Sequence, residues 1–275
     1  MPRPPLDLSV YLVTDTALCG GPDGVVTTVR DAVAAGVTVV QLRDPDASEA
    51  DFIALGRALA SELAGTGVPL IVNDRVHLVD VIGAHGAHVG QGDLSIAEAR
   101  RLLGPDKLLG LSVSSPAQVA AASRIPSSMT DTPCESAPGP IEHGVLDYLG
   151  AQSLHATGTK PEAGEVGLDV IAACAAASPW PVVAIGGVKA SDAADLRGIG
   201  IDGMAVVSAI CGQPDVTAAT RALVEAWALA DLTQREPTPP GAPLTFPTSR
   251  AALSDSGEGA EEGSYTAPRP VQEDR

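Results

Sequence analysis

Short apolar runs alternate with longer amphipathic stretches along most of this chain. The apolar runs are predicted as buried strands, because each ends in polar residues or glycine, and the amphipathic stretches between them are predicted as helices. The predicted strands are residues 10–15, 38–42, 69–72, 87–89, 108–113, 146–151, 181–185 and 202–210. The predicted helices are residues 25–35, 49–64, 76–83, 95–103, 115–122, 167–177, 190–196 and 214–230.

The regular alternation of strand and helix predicts an α/β fold, a (β/α)₈ TIM barrel over residues 8–230 preceded by a short extension, residues 1–7. A doubly wound open sheet is the alternative, but no GxGxxG follows the first strand. Residues 124–143, rich in Pro, Ser and Thr, are predicted to be a flexible insertion between the fifth and sixth strands. Residues 231–275 are predicted to be a disordered C-terminal tail.

Local signals support the predicted helix ends. Ser48 is placed to cap the second helix, with Asp51 three residues later. Gly36 follows the first helix, where a glycine often stops a helix. Pro214 suits the first turn of the last helix.

Composition and charge narrow the functional classes. The chain is 45% hydrophobic but only 3% aromatic, so its core must consist of aliphatic residues. A net charge of −17 argues against nucleic acid and anionic membranes as partners, and no apolar run approaches the roughly 18 residues of a membrane span. The scattered cysteines and the N-terminus without a secretory signal favour a reducing, cytoplasmic location. Small-molecule substrates remain, and the sequence leaves the oligomeric state open, a homo-oligomer included.

Polar residues or glycines lie at or near the ends of seven successive predicted strands, where the functional groups of a barrel lie. In chain order they are Gln41, Arg43, Asn73, Asp74, Asp93, Ser112, Thr157–Lys160 (TGTK), Gly186, Gly187 and Ser208. Gly186 and Gly187 with Ser208 would form the frequent phosphate site of a barrel, after its seventh and eighth strands. Val207 and Ser208 are predicted to lie inside the eighth strand.

Asp74 and Asp93 are predicted to meet at one end of two adjacent parallel strands. Two carboxylates beside the Asn73 amide suit Mg²⁺, which prefers oxygen ligands. Together with Arg43 they would bind a pyrophosphate. The alternative is that both aspartates merely cap the helices that follow them. Two anion pockets at one barrel mouth indicate two phosphorylated substrates, one of which loses pyrophosphate.

Taken together, these strand ends resemble the thiamine-phosphate synthase family. The similarity covers about residues 8–230, and its matching motifs are YLVTD, VQLRD, PLIVNDRV, HVGQGDL, GLSV, DYLGA, TGTK, VVAIGGV and MAVVSAI. The resemblance implies a transferase of thiamine biosynthesis. Such an enzyme joins an aminopyrimidine diphosphate to a thiazole phosphate and releases thiamine phosphate and pyrophosphate.

The resemblance also implies roles for particular residues. Mg²⁺ would bind Asp74 and Asp93, and Arg43, Ser112 and Lys160 would be the catalytic residues. The residues that would contact the pyrimidine diphosphate are Gln41, Leu42, Arg43, Asp44, Pro45, Asn73, Ser112 and Lys160. Those that would contact the thiazole phosphate are Thr157, Gly158, Thr159, Gly187, Val207 and Ser208.

Two departures from the family pattern concern this site. Pro45 replaces a lysine that would help to hold pyrophosphate, and Gln152–Ala156 (QSLHA) replaces a Gly-Pro-Val-Phe-Pro-like run. The lost lysine and the presence of His155 keep two alternatives open: a thiazole tautomerase, or a non-catalytic protein that binds thiazole phosphate.

Overall fold

A computed structural model describes residues 3–125, 144–155 and 166–234 of the chain. Within these ranges, eight parallel strands close into a barrel in chain order, with β8 pairing with β1. The strands are β1 Val10–Val13, β2 Val39–Leu42, β3 Leu70–Asn73, β4 Gly86–Val89, β5 Leu108–Val113, β6 Tyr148–Gln152, β7 Val182–Ile185 and β8 Gly203–Val206. The predicted (β/α)₈ architecture is therefore confirmed.

Helices follow the strands around the outside of the barrel. They are α1 Pro22–Ala35, α2 Glu49–Glu62, α3 Val79–Ile82, α4 Ile96–Leu103, α5 Pro116–Ser123, α6 Gly167–Ala177, α7 Ala193–Gly198 and α8 Val216–Gln234. The Ser48 side chain accepts a hydrogen bond from the Asp51 backbone N–H, as predicted. Gly36 ends α1 in the left-handed conformation, also as predicted.

Strand residues alternate between two apolar cores, because successive side chains of a strand point to opposite faces. One core fills the barrel interior and comprises Leu8, Tyr11, Val13, Val39, Ile71, Leu108, Tyr148, Val183 and Ala205. The larger core lies between strands and helices and includes the alternate strand residues, for example Val40, Leu42, Val72 and Val89. The barrel is therefore a packed core, and its polar inward residues lie at the carboxyl ends of the strands.

A buried ion cluster closes the amino end of the barrel. Arg100, only 1% exposed, donates to the Val145 carbonyl and pairs with Asp147 at 2.9 Å. Arg3 pairs with the other oxygen of Asp147 at 2.6 Å. Burial, with a smaller contribution from Arg3, lowers the pKa of Arg100 to about 10, so this guanidinium stays charged at neutral pH. Buried ion pairs thus fill the amino end, and the functional groups of such barrels lie at the opposite, carboxyl end.

Several predicted boundaries are wrong. β8 ends at Val206, because the Val207 carbonyl accepts the backbone N–H groups of Ile210 and Cys211 and starts a helical turn. Val207 and Ser208 therefore follow the strand and do not lie inside it. Pro214 precedes the last helix, which begins at Val216.

The predicted insertion and tail are only partly described. α8 continues to Gln234, so the predicted disordered tail is wrong for residues 231–234. The rest of the tail, and residues 126–143 of the predicted insertion, lie outside the described residues. No helix among the described residues is long and apolar enough to cross a membrane.

Candidate active site

A cavity of about 1430 Å³ opens at the carboxyl ends of the strands. Most of the predicted substrate residues that the structure describes line it. They are Gln41, Arg43, Asp44, Pro45, Asn73, Ser112, Gly187, Val207 and Ser208. The cavity has room for two small ligands, since the pocket of one drug-sized ligand measures about 300–1,000 Å³.

Gln41, Asn73 and Ser112 reach the cavity because they occupy inward positions near the ends of β2, β3 and β5. Leu42 occupies the next position of β2 and points outward into the core between strands and helices, where it is fully buried. Its side chain does not line the cavity, so its predicted substrate contact is restricted to the backbone.

A chain of hydrogen bonds crosses the barrel interior below the cavity. The Gln41 Nε2 donates to the Tyr11 hydroxyl at 2.8 Å, and the Tyr11 and Tyr148 hydroxyls are 2.8 Å apart. The Tyr148 hydroxyl is 3.0 Å from His88 Nδ1, and His88 Nε2 is 2.9 Å from Ser112 Oγ. The chain thus joins two predicted substrate residues, Gln41 and Ser112, through three residues that the sequence analysis had not selected.

One donor in this hydrogen-bond chain is fixed, the Gln41 amide at its end. The Gln41 amide donates to Tyr11, and the arrangement that pairs every proton along the hydrogen-bond chain has Tyr11 donating to Tyr148 and Tyr148 donating to His88 Nδ1. His88 then has its proton on Nε2 and donates to Ser112 Oγ, which leaves the Ser112 proton for a ligand oxygen. Burial raises the pKa of both tyrosines, so both stay neutral and can donate.

The network requires space that a small residue on β5 provides. A Cβ at Gly110 would lie 2.2 Å from Tyr148 Cζ and 2.5 Å from His88 Nδ1. Any other residue at position 110 would therefore displace the Tyr148 and His88 rings.

The rim around β2 combines one cation with several acids. Arg43 and Asp44 are half-buried, and the Thr16 hydroxyl donates to Asp44 Oδ2 at 2.7 Å. Arg75 is turned away toward α2: it donates to the Ala47 carbonyl and its guanidinium lies 4.4 Å from the centre of the Phe52 ring. Arg43 is therefore the basic side chain that β2 and β3 supply to the main cavity in the described structure.

Asp74 and Asp93 follow β3 and β4, which are adjacent in the barrel. Asp74 has φ of 59°, a left-handed conformation that is uncommon for residues other than glycine. Hydrogen bonds hold it there: its N–H donates to the His88 carbonyl, and its carbonyl accepts from Val76 N–H. Strained residues of this kind are often found at functional sites.

Neither aspartate caps a helix. Ser95 caps α4, and no side chain caps the short 3₁₀ helix Val76–Leu78 that precedes α3. The alternative that Asp74 and Asp93 merely cap the helices that follow them is therefore wrong. One oxygen of each exposed carboxylate is oriented by a donor: Asn73 Nδ2 lies 2.6 Å from Asp74, and Gly90 N–H lies 2.7 Å from Asp93.

The two acids differ in their relation to the cavities. Asp74 lines a smaller cavity of about 170 Å³, together with Asp44, Pro45 and Asn73. Asp93 is also a described residue, but it lines neither this small cavity nor the large one. The described residues contain no cluster of three or more His, Cys, Asp or Glu side chains placed to hold a metal.

The opposite side of the mouth is built from backbone. Gly186 and Gly187 follow β7 with φ of 96° and 66°, and both line the cavity. A Cβ at Gly186 would lie 1.9 Å from Ser153 Oγ, so only glycine fits there. Such a turn exposes backbone N–H groups to an anion, as in the predicted phosphate site. Ser208 is exposed beside it, in the turn after β8.

Two further residues line this side. His155 donates its backbone N–H to the Gly186 carbonyl, and its Nε2 lies 3.3 Å from Asp192 Oδ2. Lys189 follows the glycine turn and adds a second cation to the cavity wall. The predicted residues Thr157, Gly158, Thr159 and Lys160 lie outside the described residues.

The geometry defines a (β/α)₈-barrel protein with a wide cavity at the carboxyl ends of its strands. The family model described as thiamine monophosphate synthase matches residues 10–210. The chain is 44% identical to thiamine-phosphate synthase of Azorhizobium caulinodans over 224 residues, 81% of this chain and 96% of that protein. It is 42% identical to thiamine-phosphate synthase of Laribacter hongkongensis over 219 residues, 79% and 94% of the two chains.

A solved structure agrees with this result. Thiamine phosphate pyrophosphorylase from Pyrococcus furiosus has 28% identity and a TM-score of 0.68, over 82% of this chain and 97% of that one. The chain belongs to the thiamine monophosphate synthase family.

Proposed function

We propose that this chain is a thiamine-phosphate synthase, a transferase of thiamine biosynthesis. It would condense 4-amino-2-methyl-5-(diphosphooxymethyl)pyrimidine with thiazole phosphate and release pyrophosphate. The observation that supports this most directly is the two-sided barrel mouth. Gln41, Arg43 and Ser112 line one side, and the Gly186–Gly187 turn and Ser208 line the other. Relatives that match almost over their full length are named for this activity.

Mg²⁺ belongs to the proposal, on the chemistry of the two carboxylates that follow the adjacent strands β3 and β4. Asp74 and Asp93 would hold it, with their carboxylates oriented by Asn73 and Gly90. Two carboxylates suit this ion, which keeps several waters and commonly binds substrate phosphates as well. When bound, Mg²⁺ would offset the negative charge of the pyrophosphate. Positive charge is needed close to the pyrophosphate, because the described cavity wall carries acids at Asp15, Asp44 and Asp46.

The protein side chains would act mainly by positioning and charge. Arg43 can bind the pyrophosphate with two hydrogen bonds, and Ser112 has a proton for one of its oxygens. The glycine turn and Ser208 would hold the thiazole phosphate, so that its ring nitrogen faces the methylene carbon of the pyrimidine. As pyrophosphate departs, the pyrimidine amino group would stabilise the methylene cation, and no side-chain nucleophile is needed.

The two other functions are not favoured, because the matching family and the named relatives are synthases. A tautomerase would have no use for the pyrophosphate side that Arg43 and Ser112 line. The replacement of the family lysine by Pro45 is instead expected to weaken diphosphate binding. We further propose a cytoplasmic location.

The test is a steady-state assay that measures thiamine phosphate and pyrophosphate from the full chain. With Mg²⁺, wild type should form both products in equal amounts. Asp93→Asn should lose at least about 100-fold in kcat, because even residues that only orient metal ligands contribute about 10–100-fold. Asp106→Asn makes the same change at an exposed acid before β5, at the amino end of the barrel, and should behave as wild type.

Two results would count against this account. Wild type that forms no thiamine phosphate would refute the proposed reaction. Equal rates for wild type and Asp93→Asn would refute the metal assignment alone, since the reaction would then proceed without that carboxylate.

A further inference from the structure

The charged residues of the main cavity are unevenly distributed between its two sides. Among the described residues that line it, the acids Asp15, Asp44 and Asp46 all follow β1 or β2. The described lining residues that lie in or after β6, β7 and β8 include no acid. Lys189, which follows β7, adds a cation to this side. An anion bound there therefore meets less repulsion than one bound beside β1 and β2.

Hydrogen bonds fix the backbone of Lys189 beside the glycine turn. Its N–H donates to Asp192 Oδ2 at 2.8 Å, and its carbonyl accepts from Asp192 N–H at 3.0 Å. His155 Nε2 lies 3.3 Å from the same Asp192 oxygen, and His155 N–H donates to the Gly186 carbonyl at 2.9 Å. The base of the Lys189 side chain is therefore held in place relative to the turn that is proposed to bind a phosphate.

The side chain of Lys189 is left for a ligand. Lys189 is exposed, and it forms no ion pair with any other residue that the structure describes. By contrast, Lys107 at the amino end of the barrel pairs with Asp80 at 3.2 Å and donates to the Ala84 carbonyl at 2.7 Å. A lysine binds phosphate as a point charge on a flexible stem, so the Lys189 ammonium can adapt to an anion at the turn.

We propose that Lys189 is a further substrate-binding residue, whose ammonium donates hydrogen bonds to the phosphate of thiazole phosphate at the Gly186–Gly187 turn. The inference rests on the proposed function, because that function supplies the ligand.

The turn and the lysine would have different tasks. A phosphate monoester has close to two negative charges at neutral pH, whereas the backbone N–H groups of a turn carry only partial positive charges. The glycine turn would fix where the phosphate lies, and Lys189 would supply a full positive charge. Asp192 would be a positioning residue, since it holds the backbone of Lys189 and does not itself line the cavity.

The experiment is isothermal titration of the full chain with thiazole phosphate, in the absence of the pyrimidine diphosphate. Lys189→Gln should raise the Kd about tenfold, because it removes a charge-assisted hydrogen bond at an exposed position. Lys189→Arg keeps the positive charge and should restore most of the affinity. The control Arg101→Gln removes the same charge from an exposed position on α4 and should bind as wild type.

A second ligand separates contact with the phosphate from a structural effect of the substitution. The thiazole alcohol lacks the phosphate, so its Kd should be the same for wild type and Lys189→Gln. Higher ionic strength should weaken the binding of thiazole phosphate more in wild type than in Lys189→Gln, because salt screens the additional attraction. An equal loss of affinity for both ligands would show that the substitution disturbs the turn, and it would overturn the direct contact.

Failure of this inference and failure of the proposed function give different results. An unchanged Kd for thiazole phosphate in Lys189→Gln would overturn the role of Lys189 and leave the function in place. Wild type that binds thiazole phosphate but forms no thiamine phosphate would refute the function, and the titrations would still decide the role of Lys189. Wild type that does not bind thiazole phosphate would overturn both.

Discussion

Tyr148→Phe removes one oxygen atom from the middle of the hydrogen-bond chain inside the barrel. The ring can keep its packing, because it lies 5.8 Å from the Tyr11 ring and 5.4 Å from the His88 ring between centroids. Tyr11 is buried at 1% exposure, so solvent cannot simply replace the partner that its hydroxyl loses. The substitution therefore separates the contribution of these hydrogen bonds to stability from that of hydrophobic packing.

The magnitude follows from the partners that lose their bonds. Tyr11 Oη and His88 Nδ1 each lose one, and a buried polar group left without a partner costs about 1–3 kcal/mol. We expect about 2–4 kcal/mol in total, in the lower part of the summed range, because His88 borders the cavity and can gain water from it. For a domain of this size, 1 kcal/mol shifts Tm by about 2–4 °C, so the expected decrease is about 4–16 °C.

Tyr148→Phe should alter the kinetics of only one substrate, the pyrimidine diphosphate, which is proposed to bind on the side of the mouth that Ser112 lines. Without the Tyr148 hydroxyl, the tautomer of His88 is no longer fixed. His88 Nε2 then no longer has a fixed proton to donate to Ser112 Oγ. We expect kcat/KM for the pyrimidine diphosphate to fall while the KM for thiazole phosphate stays the same. Tyr265→Phe is the matched control, the same chemical change in the C-terminal segment outside the described residues. A Tyr148→Phe protein with the Tm and kcat/KM of the control would refute the reasoning.

Two other perturbations test separate parts of the account. Pro45→Lys should lower the KM for the diphosphate by about threefold to tenfold, because it adds a cation beside Arg43. The control Ala50→Lys, which adds the same charge on α2, should leave this KM unchanged. An equal or higher KM for Pro45→Lys would count against the idea that the pocket lacks one positive charge. His85 Nδ1 accepts the Leu70 N–H at 3.0 Å, and burial, with a smaller effect of Lys107, lowers its pKa. The unfolded chain therefore takes up a proton first, and the unfolding free energy in urea should fall as pH drops below about 6.5. His85→Gln should reduce this pH dependence, and an identical dependence in the variant would exclude His85 as its source.

The fold was predictable because each strand and helix has a local signature. Apolar strands ending in polar residues, the Ser48 cap and the Gly36 stop can all be read from adjacent residues. Strand 8 was predicted too long because its apolar sequence continues through Ile210, whereas the turn depends on backbone bonds to Val207. Hydrophobicity does not reveal where a strand gives way to a tight turn.

The site was predictable at strand ends and less so inside the barrel. Alternation along β2 would have separated Gln41 from Leu42, because one side chain points inward and the next points outward. His88 and Tyr148 were missed because their role depends on barrel closure, which brings together residues from β1, β2, β4, β5 and β6.

The central claim is that the mouth binds two phosphorylated substrates, one of them through a carboxylate-held Mg²⁺. Isothermal titration of the full chain with the pyrimidine diphosphate and, separately, with thiazole phosphate tests it directly. We predict that both bind, and that removing Mg²⁺ weakens the diphosphate but not the thiazole phosphate. Thiazole phosphate binding with no binding of the diphosphate, with or without Mg²⁺, would contradict the account and favour a tautomerase or a non-catalytic binding protein.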